Sequence, residues 1–72
     1  MNYGIADRMI NAIDTFLDML EEISGCSHDE AVKVFNLYRD LKLVKLDAVI
    51  GRYSVKHGAY LDKEVIQNAI NS

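Results

Sequence analysis

Apolar side chains recur every third or fourth residue through the first third of the chain, which is the spacing of one face of an α-helix. The stripe consists of Ile5, Met9, Ile13, Phe16, Leu17, Leu20 and Ile23, and it is widened by Ile10 and Met19. The pattern predicts one helix over residues 5–24. Because Asp14-Thr15 could also cap a helix, two shorter helices are the alternative. Gly25 is suited to end the helix, since glycine takes a positive φ without a Cβ clash.

A second helix is predicted from Ser27 onward. Ser27 is a favourable N-cap, and Glu30 follows three residues later, which completes a capping box. The apolar positions of this helix are Ala31, Val34, Phe35, Tyr38 and Leu41, and we expect it to end near Lys42.

The apolar period changes to two after residue 43, which is typical of strands. Val44, Leu46 and Ala48 alternate with polar residues before Gly51, and Tyr53, Val55 and His57 do so after it. This predicts a β-hairpin. Beyond Gly58, Asp62 can cap a short last helix whose apolar edge is Val65, Ile66, Ala69 and Ile70.

The predicted fold is mainly α with one β-hairpin, in the order α-α-β-β-α, as a small single domain over residues 1–72. The predicted core consists of Ile13, Phe16, Leu17, Leu20, Val34, Phe35, Tyr38, Leu41, Leu46, Val55 and Ile66.

Composition limits the class of protein. Half of the 72 residues are apolar and 26% are charged, which is globular composition. No apolar run is long enough to span a bilayer and no secretory leader is recognisable, so we expect a cytoplasmic protein without a membrane partner. The single cysteine, Cys26, cannot form an internal disulfide. A chain this short buries a modest core, which favours a homodimer.

Charge is distributed unevenly along the chain. Residues 1–32 carry seven Asp or Glu against one Arg, whereas residues 33–57 carry six Lys or Arg against two Asp. The protein is therefore mildly acidic with a basic centre, and this polarity bears on the choice of partner.

The order of helix, turn, helix and hairpin from Ser24 to Val55 resembles the second half of a winged helix-turn-helix domain. His28 to Leu41 is similar to the recognition helix, and Gly51-Arg52-Tyr53-Ser54-Val55 is similar to the return strand of the wing. The resemblance implies a small DNA-binding module, such as a transcriptional regulator or an accessory protein of a phage or mobile element. The residues expected to contact DNA are Lys33, Asn36, Arg39, Lys45, Arg52 and Lys56.

A non-catalytic protein-binding adaptor or inhibitor is the alternative. Asp14, Asp18 and Glu22 follow one another at i, i+4 and i+8, so like charges repel along one helix ridge. Such a ridge either serves solubility or meets a basic protein surface. Val49 and Ile50 are apolar where a hairpin tip is normally polar. They either fold onto the core or contact a second subunit.

No pattern indicates an enzyme. Cys26, His28 and His57 lack the spacing of a metal site, and Gly25, Gly51 and Gly58 are isolated rather than part of a phosphate-binding loop. We therefore expect no catalytic residues, no metal, no cofactor and no small-molecule substrate.

Overall fold

The computed structural model describes the backbone of residues 5–72 and the side chains of residues 10–72. The elements are α1 (Ile5–Ser24), α2 (His28–Asp40), β1 (Val44–Asp47), β2 (Arg52–Val55) and α3 (Lys63–Ile70). The predicted order α-α-β-β-α is confirmed, and the described residues form one compact, mainly helical domain. The predicted apolar positions Ile5 and Met9 lie outside the described side chains.

Helix α1 is continuous over 20 residues, which decides between the two alternatives for this segment. Thr15 does not cap a second helix, because its hydroxyl donates a hydrogen bond to the carbonyl of Asn11 one turn earlier, at 2.8 Å. The helix ends at Ser24, and Gly25 follows with a φ of +71° and an amide that donates to the carbonyl of Glu21 at 2.7 Å.

Helix α2 begins with the predicted capping box. The amide of Glu30 donates to Ser27 Oγ at 3.2 Å, and the amide of Ser27 donates to Glu30 Oε1 at 3.0 Å. Each side chain therefore satisfies a backbone donor that the helix itself leaves unpaired.

The end of α2 is a Schellman motif formed without glycine. Lys42 takes a left-handed φ of +58°, its amide donates to the Arg39 carbonyl at 2.9 Å, and the Leu43 amide donates to the Tyr38 carbonyl at 2.8 Å. The last helical residue is Asp40, so the helix ends earlier than the predicted Lys42.

The hairpin is antiparallel, with Val44 opposite Val55, Lys45 opposite Ser54, Leu46 opposite Tyr53 and Asp47 opposite Arg52. The strands are shorter than predicted, because Ala48 belongs to the turn and β2 stops before His57. Asp47 closes the turn: its Oδ1 accepts the amides of Val49 and Ile50 at 3.0 and 3.2 Å. These local hydrogen bonds replace further strand pairing.

The core lies where α1, α2 and α3 meet the inner face of the hairpin. Its aromatic centre is formed by Phe16, Phe35 and Tyr53, whose ring centroids are 5.1–6.3 Å apart in tilted and edge-to-face arrangements. Seven predicted core residues are buried, namely Phe16, Leu17, Leu20, Val34, Phe35, Tyr38 and Ile66. Three more are half-buried, namely Ile13, Leu46 and Val55.

Leu41 was expected in the core, and that expectation is wrong. Its side chain is 58% exposed, because Leu41 is the C-cap of α2, where the chain leaves the helix before another element covers it. The helical period that predicted its burial ends one residue earlier.

No helix within residues 5–72 combines the length and the apolar character that crossing a bilayer requires.

Candidate nucleic-acid interface

The outer face of the hairpin carries three of the predicted DNA-binding residues. Side chains alternate along a strand, and Val44, Leu46, Tyr53 and Val55 occupy the inner face. The register therefore places Lys45, Asp47, Arg52 and Ser54 on the opposite face, and Lys56 extends it, since its amide donates to the Leu43 carbonyl at 2.8 Å. We call these five residues the outer face.

The three cations of the outer face, Lys45, Arg52 and Lys56, are exposed. Asp47 is its one acidic residue, and a carboxylate oxygen of Asp47 already accepts two turn amides. Among the side chains of residues 10–72, the one contact within 4.0 Å between a carboxylate and a basic side chain joins His28 Nδ1 to Glu21 Oε2 at 3.6 Å. The outer face therefore keeps net positive charge that no carboxylate in this part of the chain neutralises directly.

Arg52 differs from the two lysines in its surroundings. It lines an open groove of about 450 Å³ between α1 and β2, and Asp18 and Glu22 line the same groove. The field of these carboxylates attracts the guanidinium of Arg52 and repels phosphate there. Lys45 and Lys56 do not line this groove, so they are better placed to meet an anion.

The three predicted contact residues on α2 have different surroundings. The ammonium of Lys33 donates to the carbonyl of Ile70 at 2.7 Å, where the cation also meets the negative end of the α3 dipole. Arg39 lies over the ring of Phe35, with Cζ 5.9 Å from the centroid. Asn36 is exposed. Lys33 and Arg39 thus make contacts that also stabilise the fold.

The acidic ridge, Asp14, Asp18 and Glu22, is exposed along α1 as the helical spacing requires. Asp18 and Glu22 share their groove with Arg52, whereas Asp14 does not line it. Residues assigned to two competing functions are therefore neighbours in the structure.

The hairpin tip, Val49 and Ile50, points away from the core. Val49 is 96% exposed and Ile50 is 65% exposed. One of the two alternatives for these residues, folding back onto the core, is thereby excluded, and the contact with a second chain stays a prediction.

A second concave surface lies at the base of the hairpin, and sequence reasoning did not find it. This basal cleft, of about 510 Å³, is lined by Tyr38, Leu43, Lys56, His57, Gly58, Ala59, Tyr60 and Val65. The sequence feature that could have indicated this cleft is Tyr60, an aromatic residue that belongs to no apolar stripe and lies just before the Asp62 cap. Its carbonyl accepts the Tyr38 hydroxyl at 3.0 Å. Burial first, and then the negative charge of Asp62, raise the pKa of Tyr38.

Within residues 10–72, no three His, Cys, Asp or Glu side chains come together as candidate metal ligands. Comparison of the chain with protein-family models, curated proteins and solved structures gave no match.

Proposed function

We propose that this protein is a small DNA-binding module related in architecture to winged helices, and that it contacts the duplex mainly through its hairpin. The observation that carries the proposal is the hairpin register, which aligns Lys45, Arg52 and Lys56 on one exposed face. Two residues along a strand advance about 6.6 Å, so cations on such a face can follow a line of backbone phosphates.

Phosphate attraction dominates in this proposal, and base readout is secondary. Lys33 and Arg39 already have intramolecular contacts, and the exposed positions of α2 also include Asp29 and Asp40. A helix of this mixed charge gains less from entering a groove between phosphates than a basic hairpin does. We therefore expect weak dependence on DNA sequence and strong dependence on salt. The proposal places the protein in the cytoplasm, where the thiol of Cys26 stays reduced.

The test is fluorescence anisotropy of the protein with labelled duplex DNA across a range of salt concentrations. Each phosphate contact on B-DNA contributes about 0.9 to the slope of log K against log salt. The Lys45→Gln/Lys56→Gln variant should bind more weakly and lower that slope by about 1.8. Lys42→Gln/Lys63→Gln is the matched control, because it removes the same charge from two exposed positions outside the outer face.

The two variants separate the possible outcomes. An equal loss in both would show that net charge, and not the hairpin, governs binding. A larger loss in the control would assign the contact to a surface outside the hairpin. Absence of binding by the wild-type protein even at low salt would refute the DNA-binding proposal.

A protein-binding adaptor is the second candidate, because the tip exposes two adjacent apolar side chains, Val49 and Ile50. Burial of such an exposed apolar pair by a partner is favourable, because it removes apolar surface from water. In the homodimer that we propose for this candidate, the tip contacts a second copy, and the acidic ridge is left for a basic protein surface.

Multi-angle light scattering over a range of protein concentrations tests the self-association. Val49→Ser/Ile50→Ser should shift a dimer to monomer, while Ala48→Ser, which changes an exposed neighbour in the same turn, should not. A wild-type protein that stays monomeric throughout would refute the homodimer, and a dimer unaffected by the tip variant would place the interface elsewhere.

A further inference from the structure

The basal cleft has an apolar floor and a polar rim that carries one cation. Leu43 and Val65 are half-buried and pack against the core, so they offer a fixed apolar surface. Lys56 and His57 provide the polar wall. The volume of about 510 Å³ lies within the range of small-ligand sites, which is roughly 300–1,000 Å³.

Tyr60 presents an aromatic ring on an anchored backbone. The side chain is 75% exposed, which is unusual for a large, partly apolar ring. Its main chain is held on both sides: the preceding Ala59 amide donates to the Lys56 carbonyl at 3.0 Å, and the Tyr60 carbonyl accepts the Tyr38 hydroxyl at 3.0 Å. A ring carried on such an anchored backbone stacks with little loss of backbone entropy.

The charges around the cleft select an anionic ligand. Lys56 belongs both to the outer face and to the wall of the cleft, so the two surfaces are continuous. His57 adds a ring N–H that can donate a hydrogen bond to an anion. The nearby carboxylate of Asp62 is turned to the start of α3, where Oδ1 accepts the Val65 amide at 2.8 Å. A flat group joined to phosphates complements this combination of an aromatic ring and a cation.

We propose that the basal cleft accepts an unpaired base of single-stranded nucleic acid, which stacks on Tyr60 while Lys56 holds the adjoining phosphate. This inference rests on the proposed function, since the strand reaches the cleft along the outer face. The ligand differs from the duplex, because stacking on Tyr60 requires a nucleotide that is not already stacked on its neighbours. Every base has an aromatic face, so this contact is tolerant of sequence.

The experiment measures the affinity of the full chain for three labelled probes by anisotropy: oligothymidylate, the same strand with abasic residues, and a duplex of equal length. Loss of one base–aromatic stack weakens binding by about 5- to 150-fold. Tyr60→Ala should lose this factor on oligothymidylate, and Tyr60→Phe should retain the affinity. The wild-type protein should lose a similar factor on the abasic strand, whereas Tyr60→Ala should not distinguish the two strands. The Tyr60 carbonyl remains available to Tyr38 in all of these variants, so we expect each of them to keep the fold. Circular dichroism of each variant checks this.

Failure of the inference is distinguishable from failure of the proposed function. Equal affinity of wild-type protein and Tyr60→Ala for oligothymidylate, with duplex binding still dependent on Lys45 and Lys56, would overturn the stacking site alone. A Tyr60→Ala loss as large on the duplex as on the single strand would also overturn it. Absence of binding to every nucleic-acid probe, together with Tyr60-dependent binding of a labelled polyglutamate peptide, would assign the cleft to an acidic protein segment and refute both proposals.

Discussion

Leu20 and Leu41 give the sharpest test of the packing, because the sequence pattern predicts both as core and the structure separates them. Leu20 is 0% exposed between the helices, whereas Leu41 is 58% exposed at the end of α2. The same substitution, leucine to alanine, therefore removes the same atoms from two different environments.

The expected losses follow from burial. At fully buried sites this change costs roughly 2.7–5 kcal/mol, because the removed methyl groups lose their transfer free energy and leave a cavity. Complete burial of a leucine contributes about 1.5–3 kcal/mol. Less than half of Leu41 is covered, so Leu41→Ala should cost at most about 1 kcal/mol. We expect the two free energies of unfolding to differ by about 2 kcal/mol or more.

Urea denaturation followed by far-UV circular dichroism measures this difference. A domain of 72 residues has a stability of about 4–11 kcal/mol, so Leu20→Ala removes a large part of it and should lower Tm by roughly 11–40 °C. The slope of the free energy against urea should stay the same in both variants. Equal losses, or a greater loss for Leu41→Ala, would refute the placement of Leu41 outside the core.

Three further sites test local features. Ser27→Ala removes the N-cap of α2 and should cost about 1 kcal/mol in urea denaturation, while Ser54→Ala on the outer face should cost little. Hydrogen bonds from the Ser27 amide and with the Ser27 hydroxyl lower the pKa of Glu30 below 4.5. The ionised Glu30 carboxylate therefore stabilises the fold above pH 4.5, and this stabilisation is lost as the pH falls through the lowered pKa of Glu30. The wild-type protein should accordingly lose more stability in acid than Glu30→Gln does. A parallel decline of both would contradict the capping box. Lys42→Gly should stabilise the protein by up to about 1 kcal/mol, because glycine takes the left-handed φ of +58° without strain, and a loss of stability would contradict the Schellman motif.

The bond between Tyr38 and Tyr60 also has a measurable consequence. Tyr38→Phe should cost about 1 kcal/mol in urea denaturation, because the Tyr60 carbonyl loses its donor. In the wild-type protein, ultraviolet titration should show a component from Tyr38 that ionises above the ordinary pKa of 10.0, and that component should be absent from the variant. A variant as stable as the wild-type protein would show that the bond does not anchor the cleft.

Features that depend on neighbours in sequence could be predicted from the sequence. The capping box joins Ser27 to Glu30, three residues apart, and the strand period assigns Arg52 and Lys56 to the same face of their strand. The order of the elements follows from the same rules, because helical and strand periods decide which face each segment must bury. These rules predict features only within a single helix or strand, or across one turn.

Contacts between distant segments were decided by the tertiary structure. Lys33 reaches Ile70, 37 residues away, and Tyr38 reaches Tyr60, 22 residues away. No local period specifies such pairs, because they depend on the angles at which the elements pack. For the same reason the sequence could not place Arg52 in one groove with Asp18 and did not disclose the basal cleft. Leu41 was wrongly placed in the core because the residue at which α2 ends was not predicted. The sequence determined which faces are apolar and which are charged, and the packing of the helices on the hairpin determined which of those faces meet.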